Sequence, residues 1–395
     1  MVAAKDAREV KGMVKKLEGE EKQQSRRLWE EIFTEDSQEF LDYYYTEKVK
    51  DNQILGSFDK GKLVSMLHLN PYRLCVGQYE IASEYIVAVA TKKEYRHQGR
   101  MAELLHQAML EAGKGGSPFV FLMPAKEDIY KPYDFVTVYE RKDYCVTKQM
   151  LSEFTSLKKE KTSIIIEEIS ERASEQVKSA SIRELIKYSQ NRLQKQYQVF
   201  AKRDWQYYTG LLKEQISQQG SILLARDAST REICGYCFLA KEGEIQLREL
   251  VCDAHREIEI LNSIWETYGI ERELKLFGGE FTDNSLPVDR IFPCIMVRVT
   301  DVCKFVELVP LGVKEKQWIQ SHPVIAIVDS FLRENQGKYL LKLEKRGEEF
   351  FAKAEKHKGS LGKPEELYQH IPTFTIEEIV RKSFQKLKIF LNEVV

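Results

Sequence analysis

The chain has 395 residues, of which 43% are hydrophobic and 31% charged, so it is long enough for two to three domains that each bury a core. Its 60 lysine and arginine residues against 61 aspartate and glutamate residues give a formal net charge of -1. This balance excludes a global field that would draw the protein to nucleic acid or to anionic lipid. An anion-binding site must therefore depend on a local cluster of charge.

The apolar runs and the cysteines indicate the compartment and the redox state. The longest apolar runs, at 85–90 and 324–328, are far shorter than the roughly 18 residues that cross a bilayer. The N-terminus carries charges where a secretory signal needs an apolar stretch, which predicts a cytoplasmic protein. The 7 cysteines lack the density of a secreted disulfide scaffold, and the 7 histidines show no pair at metal-ligand spacing. We therefore expect reduced thiols and no metal site.

The first 150 residues are predicted to form an α+β domain. Apolar residues at steps of three and four predict helices around 28–33 and 40–44. From Asn52 the period changes to two, which predicts an antiparallel meander of strands at 54–58, 63–70 and 79–90, with turns at 59–61 and 70–71. Gly99 then opens a helix with one apolar face, and a buried strand at 119–123 follows.

A similar order of elements recurs less clearly after residue 150, as expected for divergent copies of one architecture. Strands are predicted at 164–169, 221–226, 233–240, 244–251 and 274–277, and helices at 173–188, 204–215 and 258–269. The last hundred residues differ, with strands at 294–299, 324–330, 339–343 and 349–354, and helices at 302–308 and 376–387. We place the domains at 1–150, 151–288 and 289–395.

The segment 85–105 carries the strongest functional signal. A buried strand enters a loop and a helix begins at once, so several backbone N–H groups point outward at a helix N-terminus, which suits a pyrophosphate. Gly99 lets the backbone approach a phosphate without a side chain in the way. The loop also concentrates basic residues, namely Lys92, Lys93, Arg96, His97 and Arg100. The alternative is an ordinary strand-to-helix turn with solvated basic side chains.

This loop resembles that of the GNAT family of acetyl-CoA-dependent acyltransferases, whose pattern is Arg or Gln, two residues, Gly, one residue, and Gly or Ala. Arg96 and Gly99 match, whereas Met101 departs from the small final residue. The resemblance implies that acetyl-CoA is the co-substrate and that it lies against the loop and the backbone of the preceding strand. The implied contacts are Val87, Ala88, Val89, Arg96, His97, Gln98, Gly99, Arg100 and Met101.

The order of domains resembles the Eis-like (enhanced intracellular survival) branch of the GNAT family over the whole chain. This resemblance implies tandem GNAT domains, the second degenerate, followed by a sterol-carrier-protein-like C-terminal domain. It implies that Tyr130, in the segment 124–135, is the general acid and that the terminal carboxylate of Val395 is the general base. Glu84 is a rival base, because acidic residues on this strand serve that role in other GNAT branches. The family also implies a homo-oligomer, a hexamer.

The leading hypothesis is an N-acetyltransferase in which a primary amine attacks acetyl-CoA directly in a ternary complex. The amine has a pKa near ~10.4 and must lose a proton to a base, while the departing thiolate needs a proton from an acid. The resemblance implies an aminoglycoside, a polyamine or a lysine-like amine as the acceptor, with no nucleic-acid or membrane partner.

Two other functions stay open. A degenerate first domain and a carrier-like last domain would make a non-catalytic sensor or carrier of acetyl-CoA or of an apolar ligand. Cys234 and Cys237 have redox spacing, although they lie in a predicted strand that points their sulfurs to opposite faces. In the second copy, the loop after the strand at 247–251 has no glycine and contains two acids, so we expect no pyrophosphate there.

Overall fold

The structure is a computed structural model, and it describes residues 14–157, 164–241, 245–279, 286–357 and 371–393. Within these residues one large mixed sheet collects strands from the beginning, middle and end of the chain, and a second sheet of four strands packs against it. The strands along the large sheet lie in the spatial order Val14–Lys16, Gln53–Asp59, Lys62–Val76, Tyr79–Thr91, Phe119–Leu122, Arg290–Val299, Val136–Thr147, Glu273–Gly279, Gln246–Cys252, Ile233–Ala240, Ser221–Asp227 and Ile164–Ile169.

The first unit contains the predicted helix pair, meander and following helix. Its strands are β1 (Val14–Lys16), β2 (Gln53–Asp59), β3 (Lys62–Val76), β4 (Tyr79–Thr91), β5 (Phe119–Leu122) and β6 (Val136–Thr147). Its helices are α1 (Glu21–Ile32), α2 (Gln38–Thr46), α3 (Arg100–Lys114) and α4 (Glu127–Tyr130). The antiparallel meander is confirmed, because β3 pairs with both β2 and β4.

The turn predicted at 70–71 is wrong, because β3 continues through it. Pro71 lies opposite Glu84 of β4 and stays within the strand. On its other edge, β3 pairs with β2 as far as Leu69 and with another strand only from Leu74. Proline is tolerated here because that edge has no strand partner between these two positions.

The second unit repeats the order of the first. Its strands are β7 (Ile164–Ile169), β8 (Val199–Ala201), β9 (Ser221–Asp227), β10 (Ile233–Ala240), β11 (Gln246–Cys252) and β12 (Glu273–Gly279). Its helices are α5 (Lys148–Leu157), α6 (Glu175–Gln196), α7 (Trp205–Ser217) and α8 (Glu257–Tyr268). The run β9-β10-β11-α8-β12 has the same pairing directions as β2-β3-β4-α3-β5, with an antiparallel meander, a helix and a final parallel strand.

The last part of the chain contributes to both sheets. Its strands are β13 (Arg290–Val299), β14 (Val324–Val328), β15 (Gly337–Arg346), β16 (Glu349–Lys356), β17 (Thr373–Thr375) and β18 (Ile389–Phe390). Its helices are α9 (Val302–Val306), α10 (Val313–Ser321) and α11 (Ile376–Phe384). The small sheet has the order β16-β15-β14-β17, whereas β13 lies between β5 and β6 of the large sheet. The first strand after residue 288 therefore completes the sheet of the first unit.

The chain end returns to the junction between the first two units. β18 pairs in parallel with β8, which in turn pairs with β3. Phe390 and Leu391 are buried, and the Tyr85 hydroxyl donates a hydrogen bond of 2.9 Å to the carbonyl oxygen of Glu393. The last described residues are thus held by both units.

We expect Phe390→Ala to destabilise the protein by about 3 kcal/mol, because it removes a large side chain from a closed core. The Phe390 ring lies 5.0 Å from the Tyr197 ring, centroid to centroid, and has little exposed surface. The midpoint of urea unfolding measures the change. Val313→Ala, at an exposed position, is the matched control, and it should leave the midpoint nearly unchanged.

Candidate active site

The two central parallel strands of the first unit part just before the predicted loop. β4 pairs with β5 only at Glu84 with Val120 and at Tyr85 with Phe121. Beyond Tyr85, β4 continues for six more residues beside β3 alone, so its edge toward β5 is open. A parallel pair that stops in this way leaves strand N–H and C=O groups available to a ligand.

A β-bulge occupies the open stretch of β4. The register with β3 shifts between the pair Met66–Ala90 and the pair His68–Val87, and Ala88 has a positive φ of 50°. A bulge leaves the extra residue outside the ladder and turns the neighbouring peptide groups. Val87, Ala88 and Val89, the predicted contacts of the acetyl-bearing arm, lie here and are all half-buried.

The start of α3 carries unpaired amides at the mouth of this opening. Gly99 is the N-cap residue with a φ of +80°, and no side chain caps the helix. The first intrahelical bond runs from the N–H of Glu103 to the carbonyl of Gly99 at 3.1 Å, so the amides of residues 100–102 point out of the helix. A Cβ at Gly99 would meet nothing within 4 Å and would project into the free space. The donor set and this space fit the diphosphate of coenzyme A.

Apart from Lys92, which forms an ion pair with Glu31 at 2.5 Å, the basic side chains of the loop divide into two groups. Lys93, Arg96 and His97 are exposed and available to an anion, as is Gln98. Arg100 differs from the expectation, because its side chain is buried and donates to the Ser57 hydroxyl at 3.1 Å. Among the loop residues, Arg100 therefore offers its backbone amide to a phosphate, while its guanidinium anchors the helix to β2.

Tyr130 lies beside the opening between the strands. It ends the short helix α4 and belongs to the same core cluster as Ile86 and Leu122. Burial raises the pKa of its phenol to about 12, so the hydroxyl stays protonated at neutral pH. Within the part of the chain that the structure describes, this hydroxyl has no hydrogen-bond partner. It is free to donate to a ligand atom.

A cavity of about 470 Å³ opens on the other side of the Glu84 position. It lies between the first unit, α7 of the second unit and the chain end, and its walls include Tyr43, Tyr72, Glu84, Tyr207, Glu214 and Glu393. Glu84 therefore belongs both to the cavity wall and to the last stretch of pairing between β4 and β5, one residue before the end of that pairing.

Glu84 is the carboxylate of the cavity best suited to take a proton. It is half-buried, and burial together with the nearby Asp51 raises its pKa to about 7. Across the described ranges it forms no ion pair. By contrast, rim residues such as Glu47 are neutralised, here by Lys213 at 2.6 Å.

Two fully buried carboxylates form the deep wall, and the sequence did not point to either of them. Among the described residues, Glu214 has only Lys48 as an ionic partner, at 3.9 Å, and burial raises its pKa. Glu393 lies 3.3 Å from the Arg203 guanidinium and accepts a hydrogen bond of 3.1 Å from the Tyr207 hydroxyl. Burial raises the pKa of Glu393, and the Arg203 charge opposes that rise. These groups come from α7 and the chain end, which are distant in sequence.

Val395, the predicted source of the basic carboxylate, lies outside the described residues, as does Val394. The residue immediately before them, Glu393, is held in place by buried contacts. Arg203, which is fully buried, binds both Glu393 and Glu249, the latter at 3.0 Å, and its guanidinium lies 4.2 Å from the centre of the Tyr207 ring. The approach to the chain end is thus part of the cavity wall.

A comparison with family models matches residues 13–138 to the acetyltransferase (GNAT) domain. The matched segment includes β4 with its bulge, the uncapped start of α3, and Tyr130. This segment is a GNAT acetyltransferase domain. The match supports an acyltransferase enzyme, and acetyl-CoA as co-substrate is consistent with this family. Curated protein sequences give no match.

Solved structures match nearly the whole chain at low identity. A conserved Enterococcus faecalis V583 protein, described as a probable N-acyltransferase, has a TM-score of 0.72 at 14% identity, over 98% of this chain and 100% of that one. A GCN5-related N-acetyltransferase from Anabaena variabilis has 0.66 at 16% identity, over 95% and 94%. Eis1 from Mycobacterium abscessus has 0.58 at 12% identity, over 94% and 89%. At these identities the likeness shows a shared fold that extends beyond the GNAT domain.

Neither a metal-binding cluster nor a membrane-spanning helix occurs within the described ranges. No cluster of three or more His, Cys, Asp or Glu side chains there has the arrangement of a metal site. None of the helices in these ranges combines the length and the apolar character that a membrane span requires.

We expect Gly99→Glu to abolish acetyl-CoA binding, because a carboxylate would enter the space before the α3 amides. Isothermal calorimetry measures the binding, and thermal unfolding checks that the fold is kept. Gly269→Glu is the matched control, since Gly269 also has a positive φ, of +59°, and open space around its Cβ, but lies after α8. Backbone strain alone would weaken binding equally in both variants, and that result would contradict the assignment.

Proposed function

We propose that the protein transfers the acetyl group of acetyl-CoA to a primary amine by direct attack in a ternary complex. The observation that carries the proposal is the parting of β4 from β5 beside the uncapped start of α3, with a cavity whose wall includes Glu84, close to the end of the β4–β5 pairing. One side of this junction offers amides to a thioester and a diphosphate. The other side offers space and carboxylates to an amine.

The cavity favours a cationic acceptor. Glu84 has no counter-ion among the described side chains, and the negative charge of Glu393 adds to burial in raising the pKa of the buried Glu214. An ammonium group would relieve this repulsion and would be held where it can lose a proton. We therefore propose an aminoglycoside, a polyamine or a lysine-like amine as the acceptor class.

Tyr130 is proposed as the general acid. Its free hydroxyl lies in the core cluster that lines the opening of β4, and burial keeps it protonated. Complete proton transfer to a thiolate with a pKa near ~8.5 is unfavourable for such a phenol, so its main contribution is a hydrogen bond to the sulfur as charge develops. Solvent can then replace any proton that Tyr130 gives up.

The general base is proposed to be the terminal carboxylate of Val395, with Glu84 as the alternative. The burial of Glu393 in the cavity wall supports a role for the chain end. The position of Glu84 and its raised pKa support the alternative. Either carboxylate must be ionised to accept the proton of the acceptor amine.

The Eis-like assignment, with its tandem GNAT domains and sterol-carrier-protein-like end, is proposed from the internal repeat and the shared fold. In the second unit, Glu249 has a positive φ of 55° at a bulge in β11, as Ala88 has in β4. Unlike β4 and β5, however, β11 and β12 remain paired on both sides of this bulge, up to Leu250 with Gly279. We propose that this closed cleft makes the second domain degenerate. The boundaries 1–150, 151–288 and 289–395 belong to the same proposal.

The carrier and redox alternatives have less support. Ile327, Tyr339 and Phe384 of the last unit share one core cluster with Phe119 and Val297 of the large sheet, so this face packs on protein. Cys234 and Cys237 are buried in β10, and burial raises the pKa of both thiols, which opposes thiolate chemistry. Assembly as a hexamer remains a proposal from the family resemblance, and the cytoplasmic location also remains a proposal.

A thiol-release assay on acetyl-CoA with a panel of amines tests the transferase function. We expect coenzyme A release only with amine acceptors, and a mass increase of one acetyl group on the acceptor. Release at the background rate with every amine, despite acetyl-CoA binding, would support the sensor alternative.

We expect Tyr130→Phe to lower kcat by about 10²-fold while the affinity for acetyl-CoA changes little, because only the hydroxyl is lost. Steady-state kinetics and calorimetry measure the two quantities. Tyr188→Phe is the control. It removes a hydroxyl that bonds to Asp253 on the second unit, 3.0 Å away, and should keep the normal rate. Equal rates in the two variants would remove Tyr130 from the reaction.

We expect kcat/KM to rise as pH increases through about 7 if Glu84 is the base, because its raised pKa keeps the carboxyl protonated at lower pH. Glu84→Gln should then remove this limb of the profile and most of the activity. If Glu84→Gln keeps both the rise of kcat/KM with pH and the activity, and removal of Val395 instead lowers kcat, the base is the terminal carboxylate. Normal kinetics in both variants would contradict a carboxylate base at either position.

A further inference from the structure

A buried arginine joins the turn after Tyr130 to the last third of the chain. Arg298 lies on β13 and has no exposed surface. Its Nε donates to the carbonyl oxygen of Tyr133 at 2.7 Å, and its Nη2 donates to Oδ1 of Asp329 at 2.7 Å. Nη2 also lies 3.6 Å from the carboxylate of Asp134. One guanidinium therefore joins two separate segments, the turn at 133–134 and the loop that begins at Asp329.

Asp329, the acidic partner of Arg298, is itself held in place by further hydrogen bonds. Asp329 is fully buried, and its Oδ1 also accepts the amides of Phe331 at 3.1 Å and Leu332 at 2.7 Å. Its Oδ2 accepts a hydrogen bond from the side chain of Asn335 at 3.1 Å. Asn335 in turn accepts the amide of Val302 at the start of α9, at 3.2 Å. The loop 329–335 is thus a rigid support.

Side chains of this loop also pack on the turn. The Phe331 ring lies 4.9 Å from the Tyr133 ring, centroid to centroid, and contacts His106 of α3 at 5.7 Å. Leu332 is buried in the core cluster that contains Tyr130. Both the backbone and the rings of the turn are therefore held from outside the first unit.

The Tyr130 segment needs such support. Helix α4 has four residues and is followed by one turn of 3-10 helix, which ends at Asp134 with a left-handed φ of 58°. A helix this short has no stability of its own, so its orientation depends on tertiary contacts. Burying a guanidinium is unfavourable unless good geometry compensates for the lost hydration, and the bonds of Arg298 provide that geometry.

We propose that Arg298, with Asp329, is a positioning residue for the transferase reaction, and that it holds the turn 131–134 so that the Tyr130 hydroxyl stays at the opening between β4 and β5. This inference rests on the proposed role of Tyr130. It gives the last third of the chain a part in catalysis without any contact with substrate. The loop 329–335 acts through the backbone of the turn 131–134, which positions Tyr130, the proposed general acid.

Arg298→Met tests the proposal in combination with Tyr130→Phe. Arg298→Met alone should lower kcat at least about tenfold with little change in KM for acetyl-CoA, because binding does not use Tyr130. In the Tyr130→Phe background, the same change should lower kcat by less than about twofold, since the group that it positions is already absent. Multiplicative losses in the double variant, or normal kcat in folded Arg298→Met, would overturn the proposal.

Arg141→Met is the matched control. It breaks another buried ion pair, Arg141 with Asp143 at 2.7 Å on β6, and should cause a comparable loss of thermal stability. Its kcat should stay normal at temperatures where the variant is folded. If Arg298→Met does not fold, Phe331→Leu takes its place, because it keeps the ion pair and removes only the ring contact with Tyr133.

Hydrogen exchange of the peptide 124–135, measured by mass spectrometry, tests whether Arg298 and Phe331 restrain the turn 131–134. This test does not depend on activity. Exchange should be faster in Arg298→Met and Phe331→Leu than in the parent protein, and unchanged in Arg141→Met. Unchanged exchange in the first two variants would show that these residues do not restrain the turn, and would overturn the proposal. If the parent protein restrains the turn but transfers no acetyl group, the proposed function is refuted instead. The failure of this proposal and the failure of the proposed function are therefore distinguishable.

Discussion

The parallel pairing of β4 with β5 ends at Tyr85, and the candidate site depends on this limit. Inside a sheet, strand amides and carbonyls are used by neighbouring strands, so a sheet offers few free backbone groups. Here the ladder stops after two pairs, and the bulge at Ala88 turns the open edge of β4 outward. The start of α3 adds further free amides at the same place. The other features of the site are arranged around this opening.

The net charge of the chain conceals this arrangement, because opposite charges are separated locally. The exposed loop before α3 is basic, with Lys93 and Arg96 at the surface. The cavity on the far side of Glu84 contains carboxylates that burial has made harder to ionise. One local field suits an anionic co-substrate and the other suits a cationic acceptor, although the sum over the chain is close to zero.

The three parts of the chain contribute to one candidate site. The second unit contributes α7 and the Arg203 anchor to the cavity, and its own cleft is closed by the continued pairing of β11 with β12. The last part supplies β13 to the first sheet and, at its end, Glu393 to the cavity wall. A truncation at any one boundary would therefore remove part of the site and part of the core that supports it.

Local patterns in the sequence determined the meander β2-β3-β4, the helix that begins after Gly99, and the repeat of this order in the second unit. These features depend on the period of apolar residues and on the left-handed freedom of glycine, which are properties of neighbouring residues. The sequence also marked Tyr130 and Glu84, although only through the resemblance to a family.

Only the tertiary structure decided the insertion of β13 between β5 and β6, the strand through Pro71, the burial of the Arg100 side chain, and the roles of Arg203 and Arg298. Each depends on a partner that is distant along the chain, such as Glu393 for Arg203 and Asp329 for Arg298. A charged residue looks the same in sequence whether it is solvated or buried in an ion pair. Its environment is set by long-range packing, and that packing is not encoded in the local pattern around the residue.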